Sequence, residues 1–310
     1  MKRFYAHGKL MLCGEYLVLD GAEALALPTK KGQSLECTNI QEAELVWRSF
    51  DPHFHQWLEV HLELPSLRLK HATYDTVDEN SDADYAERLQ EILLEAKALN
   101  PDFLNKPKGF KIETYLEFER DWGLGSSSTL LSCIAQWAKI DAFELSERTF
   151  KGSGYDIACA QAKGPIIYQR IDDSSNAKSV SFDPDFSEEL FFVHLNQKMN
   201  SREGIRNYRA LDSQQRETEI EKINALTQSL LSADSLESFS KILDSQEALM
   251  SDILQIPTIK QQLFADFSGS IKSLGAWGGD FVLATGGTLE KKYFEDRGYK
   301  TIVNYKDMIL

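Results

Sequence analysis

The stretch that most constrains this chain is Trp122-Gly123-Leu124-Gly125-Ser126-Ser127-Ser128-Thr129. Before it, residues 110 to 118 alternate, with Phe110, Ile112, Leu116 and Phe118 on one side and Lys111, Glu113, Tyr115 and Glu117 on the other. That period of two predicts a half-buried strand. After it, Leu130, Ile134 and Ala138 recur every four residues beside Leu131 and Ala135, which predicts a helix. A glycine- and serine-rich loop therefore joins a strand to the first turn of a helix. Glycines let backbone approach a ligand closely, and the free N–H groups and dipole of a helix start favour an anion. The serines add hydroxyls for a phosphate or a phosphate-bound metal ion. A glycine-bearing turn with a serine cap fits the same residues. The loop lacks the Gly-Lys-Ser/Thr ending of a Walker loop and the third glycine of a dinucleotide-binding fingerprint. No Gly-x-Ser-x-Gly elbow occurs in the chain, which removes one class of serine hydrolase.

An anion site needs cations, and here composition matters. The formal net charge is −14 over 310 residues, so positive charge has to be local, and a broad nucleic-acid or acidic-membrane surface is argued against. The densest positive patch is Lys198, Arg202, Arg206 and Arg209, after a strand over 190–195; Asn200 and Glu203 have capping-box spacing there. It reads equally as an anion site or a solvated helix face. Four scattered cysteines (Cys13, Cys37, Cys133, Cys159) form no C-x-x-C pair, so a zinc site or disulfide framework is not expected. His53, His55, His61 and His71 fall on a turn and on outward strand faces, and solvated histidines are the default reading. No apolar run is long enough to span a bilayer, and the N-terminus has no long apolar core or cleavage site, which together predict a cytoplasmic protein.

In chain order, residues 3 to 12 predict a strand that Gly8-Lys9 interrupts, Gly14-Glu15-Tyr16 a turn, and Leu17-Val18-Leu19 a resumed strand. Strands follow near 34–40, 43–50 and 57–64, then an acidic connection over 75–84 and a helix from about Asp82 to Leu99. A helix near 145–150 leads into Lys151-Gly152-Ser153-Gly154-Tyr155-Asp156, a tight turn feeding another helix; an aspartate there also fits as a favourable charge on the dipole. Ile166 to Ile171 predicts a strand, and 172–176 a polar loop and domain boundary. Helices are expected near 213–231, 235–254 and 258–273. After them come Gly275-Ala276-Trp277-Gly278-Gly279-Asp280, a strand from Phe281 to Ala284, a short helix ending at Gly298 and a last strand near 300–304.

Taken together, Gly8-Lys9 to Glu15, the Gly-Leu-Gly-Ser-Ser-Ser loop, Ser-Gly-Tyr-Asp and the late Gly-Ala-Trp-Gly-Gly-Asp resemble, in this order, the signatures of the GHMP kinases. The resemblance covers nearly the whole chain. It implies an α+β fold with two domains: an N-terminal ATP-binding domain (1–175) with a left-handed βαβ crossover, and a C-terminal ferredoxin-like domain (176–310) with extra helices. It implies ATP and Mg²⁺, with phosphates on Gly123, Leu124, Gly125, Ser126, Ser127 and Ser128. Matched position by position, Ser127 takes the metal-ligating role and Asp156 faces the acceptor hydroxyl. Glu147 takes the second metal-ligand role, with Glu144 as its rival, and Lys9 lies near the transferred phosphate. Glu15, Tyr16, Lys198, Ser201, Arg202, Gly278, Gly279 and Asp280 fall on the substrate side. Asp121-Trp122 and Trp277 depart from the family pattern. The motifs are most similar to those of phosphomevalonate kinase, with mevalonate kinase next, which implies a small anionic acceptor, no nucleic-acid or membrane partner, and a monomer or homodimer. A catalytically inactive sensor and an ATP-dependent decarboxylase of the same fold stand as alternatives.

Overall fold

The computed structural model describes residues 1–75, 85–106, 108–171, 174–196, 202–275, 277 and 279–310, with backbone only at 202–205. The chain forms two compact units interleaved in sequence. Met1–Gly8, Lys31–Arg120 and Leu124–Gln161 make the first; Lys9–Lys30, Asp121–Gly123 and Ala162–Leu310 make the second.

The first two strands, β1 (Lys2–Cys13) and β2 (Ala24–Ile40), pair with each other and supply residues to both units. In the first unit the sheet order is β5-β4-β3-β6-β2, with β3 at Glu44–Phe50, β4 at Gln56–Glu63, β5 at Leu69–Tyr74 and β6 at Gly109–Leu116. β3 and β6 run parallel, joined through α1 (Tyr85–Leu99), and the other pairs are antiparallel. The strands expected near 43–50 and 57–64 are present as β3 and β4, and in each alternate residues are buried. Leu45, Trp47, Leu58, Val60 and Leu62 point into a core completed by Ile112, by Leu89, Ile92 and Leu93 of α1, and by Leu131 and Ile134 of α2 (Ser126–Ala138). Helices α3 (Ala142–Thr149) and α4 (Tyr155–Gln161) complete the unit, and α2 packs against both. Asp141 caps α3, accepting the Phe143 N–H at 2.7 Å.

In the second unit Ala24–Ala26 of β2 pairs with β7 (Ile166–Ile171), and β7 with β8 (Ser174–Ser179). A separate antiparallel sheet has the order β10-β11-β9-β12, with β9 at Leu190–His194, β10 at Ile271–Ser273, β11 at Phe281–Thr285 and β12 at Ile302–Asn304. Helices α5 (Arg202–Ala210), α6 (Ser213–Leu231), α7 (Leu236–Leu254) and α8 (Ile259–Leu263) lie between β9 and β10 in sequence. α9 (Thr288–Glu295) connects β11 to β12, and α10 (Tyr305–Met308) follows. A βαββαβ order with this strand sequence is the ferredoxin-like arrangement, enlarged by helices in its first connection. Phe191, Val193, Phe264, Val282 and Phe294 form its core.

Several sequence expectations are corrected. Gly8 and Lys9 do not interrupt β1, which runs unbroken through them. Leu17–Asp20 is a 3₁₀ turn, not strand: Val18 N–H bonds back to the Gly14 carbonyl and Leu19 N–H to that of Tyr16. The helix expected over 258–273 stops at Leu263, and its end becomes strand β10. Ile259, Phe264, Phe267 and Ile271 are all buried, so the apolar spacing is satisfied without a continuous helix. A Cβ on Gly269 would lie 2.0 Å from the Thr285 carbonyl, a close approach that brings β10 onto β11. Residues 174–176, read as the end of a polar loop, belong to the exposed edge strand β8, whose sequence carries no apolar alternation; 172–173 lie outside the described residues. The start of the 82–99 helix, over 82–84, lies outside them too.

Candidate active site

The glycine-serine loop begins in the second unit and ends in the first. At Gly123 (φ 64°) and Gly125 (φ 85°) the backbone is left-handed, the region where glycine carries no Cβ penalty. Helix α2 starts directly at Ser126, earlier than the apolar spacing suggests, and its N-cap is Gly125. Among the described residues no side chain caps this helix start, and its first turn holds no acidic residue. The first N–H groups of a 13-residue helix are therefore left for something else to bind. The three serines differ. Ser128 is buried and its hydroxyl donates to the Gly125 carbonyl at 2.8 Å, so it serves the loop's own geometry. Ser127 is exposed and Ser126 partly so. Thr129 anchors the turn from below, its hydroxyl donating to Gln33 Oε1 at 2.7 Å.

Asp156 lies in the first turn of α4, partly buried, with Oδ1 accepting its neighbour Ile157 N–H at 3.1 Å. The turn before it uses Gly152 (φ 115°) and Gly154 (φ 83°). Ser127 and Asp156 thus occupy the N-terminal turns of two helices that pack together. Glu147 stands on the exposed face of α3, and its rival Glu144 is held by Arg148 at 3.0 Å. Among the described residues no group of three or more His, Cys, Asp or Glu could hold a metal ion. The available donors are oxygens, and Mg²⁺ suits that set because it binds through one or two protein oxygens plus substrate phosphates and waters.

In the second unit Lys9 Nζ donates to the Gly123 carbonyl at 3.0 Å, which seats the cation on the loop. Asp280 closes over the same place. A Cβ on Gly123 would lie 2.1 Å from Asp280 Oδ2, and one on Gly275 (φ 66°) 2.7 Å from it. Both glycines are needed for the carboxylate to sit there. Gly279 lies beside it, whereas Gly278 is outside the described residues. The departures from the family pattern have structural roles. Trp122 meets the Phe281 ring edge-on at 5.4 Å and His194 at 6.4 Å, and His194 Nε2 lies 3.3 Å from the Asp121 carbonyl. Trp277 is buried in a left-handed conformation (φ 58°), and its indole N–H has no acceptor among the described residues.

The early turn is different from the expectation. Glu15 is 3% exposed, and its carboxylate accepts from Lys272 Nζ and, at 3.3 Å, from Gln246 Nε2. It faces the interior of the second unit rather than an open surface. Tyr16 has φ 62°, and burial, with the charge of Glu15, pushes its phenol up to about 12. Lys272 and its second partner Glu247 escaped sequence reasoning. The one available signal was a lysine inside the short apolar stretch before Gly275. Of the positive patch, Arg209 is committed to Asp20 at 3.3 Å, beside the Tyr208 hydroxyl, which donates to the same carboxylate at 2.6 Å. Lys198, Ser201 and the side chain of Arg202 lie outside the described residues, as does the Asn200–Glu203 capping box. Three of the four histidines set aside as solvated lie beside carboxylates: His53 by Glu119 at 2.9 Å, His55 by Asp75 at 3.2 Å, and His61 by Glu59 at 2.8 Å. All four cysteines are buried, and burial pushes the Cys13 thiol up to about 12.

No family model and no curated protein sequence matches this chain. Solved structures do. The Methanococcus jannaschii mevalonate kinase superposes with a TM-score of 0.69 at 17% identity, covering 98% of this chain and 97% of that one. The Streptococcus pneumoniae phosphomevalonate kinase, solved with phosphomevalonate and AMPPNP, gives 0.65 at 18% identity over 97% and 99%. Lactococcus lactis galactokinase, solved with galactose, gives 0.62 at 14% over 98% and 93%. These are GHMP kinases, and the chain has their fold. Among the described residues no helix is long and apolar enough to cross a membrane.

Proposed function

We propose that this chain, built on the GHMP kinase fold, is an ATP-dependent small-molecule kinase. The observation that carries the reading is the start of α2: an uncapped helix N-terminus behind two left-handed glycines, with Lys9 bonded to the Gly123 carbonyl. Such a start binds phosphate through backbone N–H groups, and phosphoryl transfer asks a protein mainly for positioning and charge neutralisation. Nucleotide phosphates rest on Gly123 to Ser128. Asp156 orients the acceptor oxygen, of a hydroxyl or of a phosphate, and takes the proton where it is a hydroxyl, as that oxygen bonds to the γ-phosphorus and the bond to the ADP oxygen breaks. Lys9 offsets the charge that moves between those oxygens. Ser127 and Glu147 would hold Mg²⁺, which would supply further neutralisation of the phosphates.

The acceptor in this proposal is 5-phosphomevalonate or mevalonate, held by Lys198, Ser201 and Arg202. Support comes from the sequence motifs and from fold neighbours solved as kinases of both names. Magnesium dependence, a place in isoprenoid precursor synthesis and a cytoplasmic location belong to the same proposal. The test is ADP release by the purified protein with ATP, Mg²⁺ and, in turn, mevalonate, 5-phosphomevalonate, homoserine and galactose. Turnover with one acceptor and a product heavier by one phosphate is the expected result. Nucleotide binding without turnover on any acceptor points to the sensor alternative, and loss of CO₂ from the product to the decarboxylase.

A further inference from the structure

Lys272 sits in β10 with no exposed surface, yet it is an ammonium between two carboxylates. Its Nζ donates to Glu15 and to the Ser273 carbonyl and lies 3.2 Å from Glu247 Oε1. Ser273 Oγ donates to Glu247 Oε2 at 2.8 Å, and Gln246 Nε2 bridges Glu15 and the Leu12 carbonyl at 3.3 and 3.1 Å. Both glutamates are 3% exposed. With all three groups ionised this cluster carries one excess negative charge in the interior. Buried ion clusters add little net stability over an apolar filling of the same volume, so one is better explained by the geometry it imposes. Here that geometry is specific. Glu15 precedes Tyr16, a bulky residue at positive φ (62°), a backbone shape that persists only where its surroundings fix it. Glu15 is also two residues beyond the end of β1, the strand that carries Lys9. On the other side, Lys272 is three residues before Gly275, whose α-carbon lies under Asp280.

We propose that Lys272 is a positioning residue for phosphoryl transfer: through Glu15 it holds the Gly14–Tyr16 turn to β10 and so sets the end of β1 against Gly275 and Asp280. The inference rests on the kinase reading above, and its experiment separates the two. The triple variant Glu15→Gln/Lys272→Met/Glu247→Gln removes all charge at nearly constant volume and leaves no lone buried ion. Amide exchange over residues 14–18 and 274–281 is expected to speed at least tenfold, with α6 unchanged. kcat should fall at least tenfold while KM for ATP moves less than threefold. Glu247→Gln alone keeps the Lys272–Glu15 pair and should leave both segments as in the wild type. Should the triple variant not fold, Glu15→Gln alone leaves a balanced Lys272–Glu247 pair and should still loosen 14–18. Exchange within threefold of wild type in a folded variant lacking the pair overturns the proposal. So does loosened exchange with unchanged kcat, or Glu247→Gln loosening the segments as much as the triple change. A wild-type protein without transfer activity refutes the kinase reading instead, and exchange still reports whether Lys272 holds the two segments.

Discussion

Gly123→Ala gives the most direct test of the arrangement around the loop, because its cost divides into two parts that separate controls can measure. The first part is backbone. At φ 64° an alanine occupies left-handed space, worth roughly 1–2 kcal/mol. The second part is contact: the new Cβ would lie 2.1 Å from Asp280 Oδ2 and 2.4 Å from its Cγ, so the carboxylate has to leave. Asp280 has an interaction partner, and separating a charged group from a charge-assisted partner costs about 1.5–3 kcal/mol. Together Gly123→Ala should destabilise by about 2.5–5 kcal/mol. Gly298→Ala serves as the backbone control, since φ is 88° there and nothing lies within 4 Å of the added carbon; about 1–2 kcal/mol is expected. Asp280→Ala supplies the other corner of a double-mutant cycle. In that background Gly123→Ala should cost no more than the Gly298 control, a coupling of about 1.5–3 kcal/mol. Urea unfolding followed by both circular dichroism and tryptophan fluorescence gives the values and reports whether the transition is two-state. If the two substitutions add to within about 0.5 kcal/mol, Asp280 does not sit on Gly123 in solution and this account of the loop is wrong.

Asp156→Asn should lower kcat by ~10²–10⁴ while nucleotide affinity stays near wild type, measured by steady-state kinetics and calorimetry on one preparation; turnover within threefold moves the base elsewhere. Ser127→Ala should raise the Mg²⁺ concentration needed for half-maximal rate without changing the melting temperature, because the Ser127 side chain is exposed; an unshifted Mg²⁺ titration assigns the metal to other donors. Arg202→Ala should raise the acceptor KM roughly ten- to hundredfold and leave that of ATP unchanged, as one charge-assisted bond is worth about 1.5–3 kcal/mol. Equal effects on both would place the patch outside the acceptor site. Burial pushes the Glu247 carboxyl up against the pull of Lys272 and Ser273, while the two glutamates hold the Lys272 ammonium up despite its own burial. A carboxyl raised on folding binds more protons in the folded state, so its contribution falls as pH rises from its unfolded value through its folded one. Glu247→Gln should therefore raise the urea midpoint at pH 7, and the gain should vanish near pH 4; a loss at pH 7 would mean the Lys272–Glu247 attraction outweighs burial.

The sequence by itself determined the elements whose periodicity is imposed by one buried face. Strands β3, β4 and β6, and helices α1, α6 and α7, read correctly because each puts apolar side chains at its own period into one core. The loop at Gly123 to Ser128 and the Asp156 turn were legible for a different reason: positive φ and close approach restrict composition locally, and both lie within a few residues. What tertiary structure alone decided is what depends on partners distant in sequence. Exposed edge strands β5 and β8 carry no pattern, since only pairing with β4 and β7 makes them strands. The apolar spacing over 258–273 served a short helix and a strand alike until Gly269 met the Thr285 carbonyl. Nothing near Glu15 announces that its charge is buried, because the lysine that takes it lies 257 positions away. Local chemistry selects backbone shape from neighbouring residues, but whether a charged side chain faces a ligand or an internal counter-ion is settled only when the whole chain has packed.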